Sequence, residues 1–265
     1  MFPHPLHKSI VYDGKMSLSG RINVLMDWIQ YNPAIRYAQL YFSTVDEVGH
    51  HYGPSSRQMS NAIKTVSSAV VELVNELKKR RLWSRTTLLI VSDHGMTDAV
   101  NDSHIAIEEL VPELKKLILW IDSRPVTFVT VKSGSEDLVY DLLRASKDKL
   151  SLPFDLYWTR DLPQGWHMVP SNRVGPITLI AHKGYTFAKA GMKRGSGLHG
   201  YDPDMLDMHA MFMATGPDIA KRGQIREVYS NLDVYSVLIS LLAIGGERND
   251  GSSGLERAIL AHDLI

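Results

Sequence analysis

Residues 86–92 are the segment that most constrains the fold, because they are almost wholly apolar and rich in β-branched side chains. Such a run is typical of a strand that is buried on both faces of a parallel sheet. Apolar residues at helical spacing precede it, among them Ile63, Val66 and Val70, and they predict a long amphipathic helix. With a further strand predicted over residues 37–45, this order gives a βαβ unit and an α/β fold.

The remaining sequence extends this fold into one large domain. Hydrophobic residues make up 44% of the 265 residues, which is ordinary for a globular protein and enough for a large core. A helix is predicted over residues 136–145. Further strands are predicted over residues 117–121, 126–131, 154–158, 177–181 and 210–215. We therefore expect a single domain over residues 1–265.

The first candidate ligands for a metal ion are Asp46 and His50, which are four residues apart. They follow the strand predicted over residues 37–45, and Gly49 permits a turn of the backbone between them. An Asp-x-x-x-His spacing is a weak signal by itself and also fits a surface turn. Its weight depends on whether other ligand side chains reach the same place.

A second acid–histidine pair, Asp93 and His94, comes directly after the buried run of residues 86–92, and Gly95 permits a turn there. Ligands of open α/β sheets bind beyond the carboxyl ends of the strands, so we expect both pairs at one edge of the sheet. His199, within the Gly-Leu-His-Gly-Tyr-Asp segment, is a third candidate contributor.

These residue types indicate a particular chemistry. Asp and His are good ligands for zinc, with bonds of about 2.0 to 2.2 Å. With His199 included, the candidate ligands are more numerous than one catalytic zinc takes from a protein, which favours a cluster of two cations. Two cations can clamp a phosphoryl group and stabilise developing charge on oxygen. The pattern therefore predicts cleavage of phosphate esters or anhydrides.

Four segments occur in an order and spacing that is highly specific. They are Asp-Glu-Val-Gly-His-His-Tyr-Gly-Pro at 46–54, Ser-Asp-His-Gly-Met at 92–96, Leu-His-Gly-Tyr-Asp at 198–202 and Met-His-Ala-Met-Phe at 208–212. In these segments the chain resembles the nucleotide pyrophosphatase/phosphodiesterase family of the alkaline phosphatase superfamily, and the likeness extends from about residue 16 to residue 244. The resemblance implies an alkaline-phosphatase-like fold, with a mostly parallel central sheet flanked by helices.

The resemblance also implies roles for individual residues. It implies that one zinc ion is bound by three side chains, those of Asp46, His50 and His199. It implies that Asp93 and His94 contribute to a second zinc ion, and that Tyr41 lies beside the substrate. The implied substrates are phosphodiesters or pyrophosphates of nucleotides, with phospholipid-type esters as the other choice, and the implied location is extracellular or a membrane-anchored ectodomain.

Members of this family carry a further metal-binding Asp and a Thr or Ser nucleophile upstream of these motifs. Neither has a counterpart in this sequence, and Thr44, within a predicted strand, does not match the place of the nucleophile. We therefore expect a catalytic domain truncated at its N-terminus, with one complete zinc site and no catalytic nucleophile. The alternatives are a catalytically dead zinc-binding pseudoenzyme or interaction module, and another branch of the superfamily such as a phosphomutase or a sulfatase.

Charge and hydropathy restrict the partners. Basic and acidic residues both number 29, so there is no basic field that would attract nucleic acid, and a small-molecule substrate is expected. No run approaches the roughly 18 apolar residues of a transmembrane helix, and the first eight residues have no apolar signal core. The chain contains no cysteine, which excludes disulfides.

Overall fold

The computed structural model describes residues 8–121, 124–166, 168, 173–189, 191–192, 195–220 and 223–261. The first seven residues, in which the sequence shows no signal core, lie outside the described residues. The chain divides into two compact units. Unit 1 comprises Met1–Val45, Ser60–Asp93 and Ala210–Ile265, and unit 2 comprises Asp46–Met59 and His94–His209. That the two units act as one catalytic domain stays a prediction.

The described chain begins with three helices, continues with strands that are interrupted by two helices, and ends with two helices. The α-helices are α1 Leu18–Tyr31, α2 Thr44–Tyr52, α3 Arg57–Lys79, α4 Ile107–Leu110, α5 Glu136–Leu150, α6 Asp233–Leu242 and α7 Gly254–Ile259. The strands are β1 Leu88–Val91, β2 Thr97–Asp98, β3 His104–Ile105, β4 Ile118–Ile121, β5 Val126–Val131, β6 Phe154–Trp158, β7 Ile177–Ala181, β8 Thr186–Phe187, β9 Gly197–Leu198 and β10 Phe212–Thr215. Short 3-10 turns lie at Trp83–Arg85, Pro112–Lys116, Thr159–Asp161, Gln164–Trp166 and Leu206–Met208.

In unit 1, α1 and the larger part of α3 share an apolar core. The Oγ atom of Ser17 accepts a hydrogen bond of 3.0 Å from the backbone N–H of Gly20, which caps the start of α1. The buried members of the core are Ile22, Leu25, Met26, Ala69, Leu73, Leu77 and Leu82. The amphipathic helix predicted ahead of residues 86–92 is therefore confirmed.

The sheet of unit 1 pairs β1 with β10 in antiparallel register, with Leu88 opposite Thr215. The strands predicted there are confirmed, but the parallel partner expected for β1 is not formed by the described residues. Val91 is 49% exposed, so β1 is not buried on both faces as its apolar composition indicated. An apolar composition indicates that a strand tends to be buried. Whether the strand pairs in parallel or antiparallel direction depends on a partner strand distant in the sequence.

The strand predicted over residues 37–45 is wrong. Residues 37–43 form no regular element, and α2 begins at Thr44, so the predicted βαβ unit is not formed within the described chain. A strand needs a neighbouring strand for its hydrogen bonds, and an apolar run in the sequence does not supply one. Asp46 and Glu47 instead favour a helix, because carboxylates in the first turn interact well with the helix dipole.

Unit 2 is built on a four-stranded antiparallel sheet in the order β4-β5-β7-β6. This sheet and α5 share one core, which includes Val129, Leu143, Phe154 and Leu179. Two short pairs accompany it, β2 with β9 in antiparallel and β3 with β8 in parallel register. The four predicted strands and the predicted helix of this region are confirmed. Pairing differs from the mostly parallel sheet that was expected, since β3 and β8 are the one parallel pair among the described strands.

Candidate metal centre

Helix α2 carries the first two candidate ligands, Asp46 and His50, one turn apart. Residues at positions i and i+4 of a helix are neighbours on its surface, so both side chains reach the same side. The interpretation that Gly49 provides a turn between them is wrong, because Gly49 is a buried residue within the helix. The helix, rather than a turn, brings Asp46 and His50 together.

Strand β9 leads directly to the third candidate ligand, His199. The strand pairs with β2, with Leu198 opposite Thr97. Nε2 of His199 lies 3.1 Å from Nε2 of His50. Oδ1 of Asp46 lies 3.5 Å from both of these nitrogens. Three donor atoms from two distant segments of the sequence therefore converge within unit 2.

A hydrogen bond determines which nitrogen of His50 faces this cluster. Nδ1 of His50 lies 2.9 Å from the backbone oxygen of Gly197. A carbonyl oxygen can only accept a hydrogen bond, so Nδ1 carries the proton. In the neutral ring, Nε2 then presents its lone pair towards Asp46 and His199. Histidine ligands of metal ions usually donate their second ring N–H to a carbonyl or carboxylate in this way.

The burial and spacing of the donor atoms fit a cation. Oδ1 of Asp46 is buried and has no hydrogen-bond partner among the described residues, although the side chain as a whole is 40% exposed. Buried polar atoms without a partner are rare and costly. Tetrahedral zinc with bonds of 2.0–2.1 Å separates its ligand atoms by about 3.3–3.4 Å. The observed separations of 3.1 and 3.5 Å are close to that value.

His94 lies beside the same cluster. Its ring stacks on that of His199, with the centroids 3.6 Å apart and the planes inclined by 16°. Nδ1 of His94 lies 2.8 Å from the backbone oxygen of Gly95, so in the neutral ring the lone pair is on Nε2. Within the described part of the chain, however, the compact three-ligand group consists of Asp46, His50 and His199. A role for His94 at a second ion stays a prediction.

Asp93 and Tyr41, the other two residues singled out from the sequence, belong to unit 1. The backbone oxygen of Asp93 accepts a hydrogen bond of 2.9 Å from the side-chain amide of Asn231. Tyr41 packs edge to face against Tyr12, with ring centroids 5.9 Å apart, and is 56% exposed. The roles predicted for them, at a second zinc ion and beside the substrate, stay predictions.

The backbone next to His94 is held by close packing at Gly95. Its N–H donates a hydrogen bond of 2.9 Å to the oxygen of Met208. A Cβ atom at Gly95 would lie 2.1 Å from the backbone oxygen of Asp207, so this close approach requires glycine.

The side chain of Asp207 is paired with Lys183, whose Nζ lies 2.5 Å from Oδ2 of the carboxyl group. Hydrogen bonding by Lys183 lowers the pKa of this carboxyl, and hydrogen bonding by Thr97 lowers it to a smaller extent.

Three residues near the ligands are not singled out by the sequence. Ser196 and Gly197 contact His50, and Met96 lies beside Gly49 and Gly197. A Cβ atom added at Gly49 would lie 2.3 Å from the sulfur of Met96, and one added at Gly197 would lie 2.7 Å from it. The glycine at position 197 could have indicated a close backbone approach. Spacing along the chain does not reveal which atoms make that approach.

Comparison with known families gives a match over residues 3–202, about three quarters of the chain, to the model described as type I phosphodiesterase / nucleotide pyrophosphatase. The bis(5'-adenosyl)-triphosphatase enpp4 of Xenopus laevis is 31% identical over 255 residues, which are 96% of this chain and 55% of that protein. The human ectonucleotide pyrophosphatase/phosphodiesterase family member 5 is 31% identical over 242 residues, 91% of this chain and 49% of that protein. The chain spans about half the length of these curated relatives.

Solved structures give the same result for the fold. Human ectonucleotide pyrophosphatase/phosphodiesterase 5 superposes with a TM-score of 0.87 at 29% identity, over 95% of this chain and 66% of that one. The murine counterpart, in an inactive form in complex with AMP, gives a TM-score of 0.87 at 28% identity over the same shares. The chain therefore has the fold of these proteins, which confirms the predicted α/β class.

Proposed function

The chain belongs to the type I phosphodiesterase/nucleotide pyrophosphatase family, a family of hydrolases. We propose that it carries a zinc site for the hydrolysis of phosphodiester or pyrophosphate bonds of nucleotides. Asp46, His50 and His199 hold one zinc ion in this proposal. The observation that carries it is the convergence of three ligand atoms at separations of 3.1 to 3.5 Å, one of them a buried carboxylate oxygen that has no hydrogen-bond partner among the described residues. Asp93 and His94 contribute to a second zinc ion.

A bound zinc ion acts as a Lewis acid that stabilises negative charge on a phosphoryl oxygen. The contribution of the protein is to orient the ligands. Gly197 fixes the proton of His50 on Nδ1, and α2 keeps Asp46 on the same face as His50. Zinc with three protein ligands has a fourth position for water or substrate, as catalytic zinc sites require. This arrangement supports the proposed phosphoryl chemistry.

The proposed substrate class is a nucleotide phosphodiester or pyrophosphate. The names of the relatives support this choice, since enpp4 of Xenopus laevis is a bis(5'-adenosyl)-triphosphatase and a murine structure holds AMP. Tyr41 is proposed to lie beside the substrate. The location is proposed to be extracellular or on a membrane-anchored ectodomain, by likeness to ectonucleotide relatives. None of the described helices is long and apolar enough to cross a membrane.

A zinc-binding protein without turnover is the second candidate function. The side chains that meet at the cluster are those of Asp46, His50, His94 and His199, which are ligand types and carry no nucleophilic hydroxyl group. The covalent phosphoryl-enzyme route expected for this family uses a Thr or Ser nucleophile. An interaction module that binds one zinc ion tightly per chain is consistent with this set of side chains.

The experiment that tests the proposal is hydrolysis of a p-nitrophenyl nucleotide phosphodiester by the purified chain, with zinc binding measured in parallel by calorimetry. Any turnover by the chain depends on the zinc site in this proposal, so it should be lost on chelation and in Asp46→Ala. Asp141→Ala is the control, because it removes an exposed carboxylate that is paired with Arg144 at 2.8 Å on α5. Turnover that survives both chelation and Asp46→Ala contradicts the proposal. Zinc binding without turnover supports the second candidate.

A further inference from the structure

We propose that Ser196 and Gly197 are positioning residues, which hold the last turn of α2 so that His50 faces His199 before any cation binds. This inference rests on the proposed function, because it concerns the same ligands. Residues 196–199 then serve three purposes in one short segment. They cap the helix, they orient one imidazole, and they supply another.

Ser196 satisfies two carbonyl groups at the end of α2. Its backbone N–H donates a hydrogen bond of 2.7 Å to the oxygen of His50. Its Oγ donates one of 3.0 Å to the oxygen of His51. The last carbonyl groups of a helix have no partner within the helix, so such bonds stabilise its final turn. The carbonyl oxygen of Ser196 in turn accepts a hydrogen bond of 2.9 Å from Ala99, which anchors Ser196 beside the β2–β9 pair.

Gly197 allows α2 to approach β9 closely enough for this. A Cβ atom at position 197 would lie 2.3 Å from the backbone oxygen of Gly49, so a side chain would push the helix and the strand apart. In its place, the carbonyl of Gly197 accepts the proton on Nδ1 of His50 at 2.9 Å. The absence of a side chain and the direction of the carbonyl are therefore both needed to present Nε2 of His50 to the cluster.

The segment of residues 196–199 holds both histidine ligands, His50 and His199. His199 lies two residues after Gly197, so the segment that holds His50 also fixes the position of His199. The Nε2 atoms of His50 and His199 are 3.1 Å apart. A site that is formed in advance loses less conformational entropy on binding than one that the ion must order. Changes to groups that orient metal ligands typically weaken metal affinity 10- to 100-fold.

The test measures the zinc dissociation constant by competition with a chromophoric chelator, for Ser196→Ala, Ser196→Thr and Gly197→Ala. We expect Ser196→Ala to weaken binding about two- to tenfold, as the loss of one hydroxyl hydrogen bond implies. Ser196→Thr keeps the hydroxyl at an exposed position, so it should restore affinity to within about twofold of wild type. Gly197→Ala should weaken binding about 10- to 100-fold.

A second measurement separates orientation from general stability. ¹⁵N NMR of the metal-free protein should show the Nδ1–H form of His50 in wild type and Ser196→Thr, and a mixture of tautomers in Gly197→Ala. Ser68→Ala is the matched control, because it removes an equivalent 2.9 Å bond from a serine hydroxyl to a backbone oxygen within α3. This control should change neither the affinity nor the tautomer.

The outcomes distinguish this proposal from the proposed function. Unchanged zinc affinity in both Ser196→Ala and Gly197→Ala, with the His50 tautomer retained, overturns the positioning role. If Gly197→Ala fails to fold, the contrast between Ser196→Ala and Ser196→Thr decides. A wild-type chain that binds no zinc overturns the proposed function instead, while the tautomer of His50 in the metal-free variants still decides the positioning role.

Discussion

Replacing Gly49 by alanine tests whether helix α2 depends on the close contact beneath it. Alanine is favoured over glycine within a helix by about 0.5–1 kcal/mol, so local preference alone predicts that the change is stabilising. In the structure, the added Cβ would lie 2.3 Å from the sulfur and 2.9 Å from Cε of Met96, and 3.0 Å from Cε of Met59. Something must move to make room.

The balance of these two effects sets the expected magnitude. Excess volume in a packed site costs about 1–3 kcal/mol, and the atoms in the way here are the movable ends of two methionine side chains, so the cost lies at the lower end of that range. Gly49→Ala should therefore lower the free energy of unfolding by about 0–1 kcal/mol. Met96 causes most of the conflict. In a Met96→Ala background, the close contacts with Met96 are absent and only the 3.0 Å approach to Cε of Met59 remains. The helix preference should then dominate, so Gly49→Ala should raise the free energy of unfolding by up to about 0.5–1 kcal/mol. The sign of the effect should reverse between the two backgrounds.

The assay is urea unfolding of the four proteins of this double-mutant cycle, followed by circular dichroism in buffer with EDTA. A coupling energy of about 1 kcal/mol between positions 49 and 96 is expected, since contacting residues are not additive. Gly165→Ala is the control, because its Cβ would meet no atom of the described residues within 4 Å. Stabilisation by Gly49→Ala in the presence of Met96, or a coupling energy below about 0.5 kcal/mol, would refute the reasoning.

Two further predictions concern pH. Burial raises the pKa of Tyr201, whose hydroxyl donates a 2.6 Å hydrogen bond to the oxygen of Tyr185. As pH rises above about 10, the tyrosine ionises first in the unfolded chain, so folding stability should fall. Tyr201→Phe should lower the free energy of unfolding by about 0.5–1.5 kcal/mol at pH 7, but its stability should not show the alkaline decrease. Urea unfolding midpoints of wild type and variant at pH 7 and above about pH 10 test this, and parallel decreases in the two proteins would contradict it. Lys183 lowers the pKa of Asp207, which contributes stability above the unfolded pKa that is lost as pH falls through the folded pKa. Lys183→Met should therefore move the acid unfolding transition to higher pH in a circular dichroism titration, and an unchanged transition would argue against this pair.

The elements of unit 2 could be predicted because their sequence patterns are local. The apolar runs of β5, β6 and β7 are confirmed, and so is the amphipathic pattern of α5. Residues 37–45 show where this approach fails. Their apolar pattern resembles a strand, but no described strand pairs with them, and the acidic residues that follow favour a helix instead. Long-range pairing, which composition does not encode, decided the outcome.

The ligand residues of the candidate site could also be predicted from the sequence, whereas the groups that orient them could not. The residue types and order of Asp46, His50 and His199 indicated that they would meet, and the structure brings them together. The role of Gly49 was misread, because glycine is common in turns and its local preference gave no sign of Met96 beneath it. The orienting carbonyl of Gly197 could not be predicted at all, since any residue has a carbonyl group and only the fold determines where it points.

The distance along the chain between the two histidines of the site has a consequence for folding. His50 and His199 are 149 positions apart, so an ion that joined them would close a large loop in a protein that contains no cysteine. By the chain-entropy relation for covalent cross-links, closing a loop of that size disfavours the unfolded state by about 5 kcal/mol. Zinc would then act on unit 2 as a disulfide acts on a secreted domain, and it could be removed by a chelator rather than by a reductant.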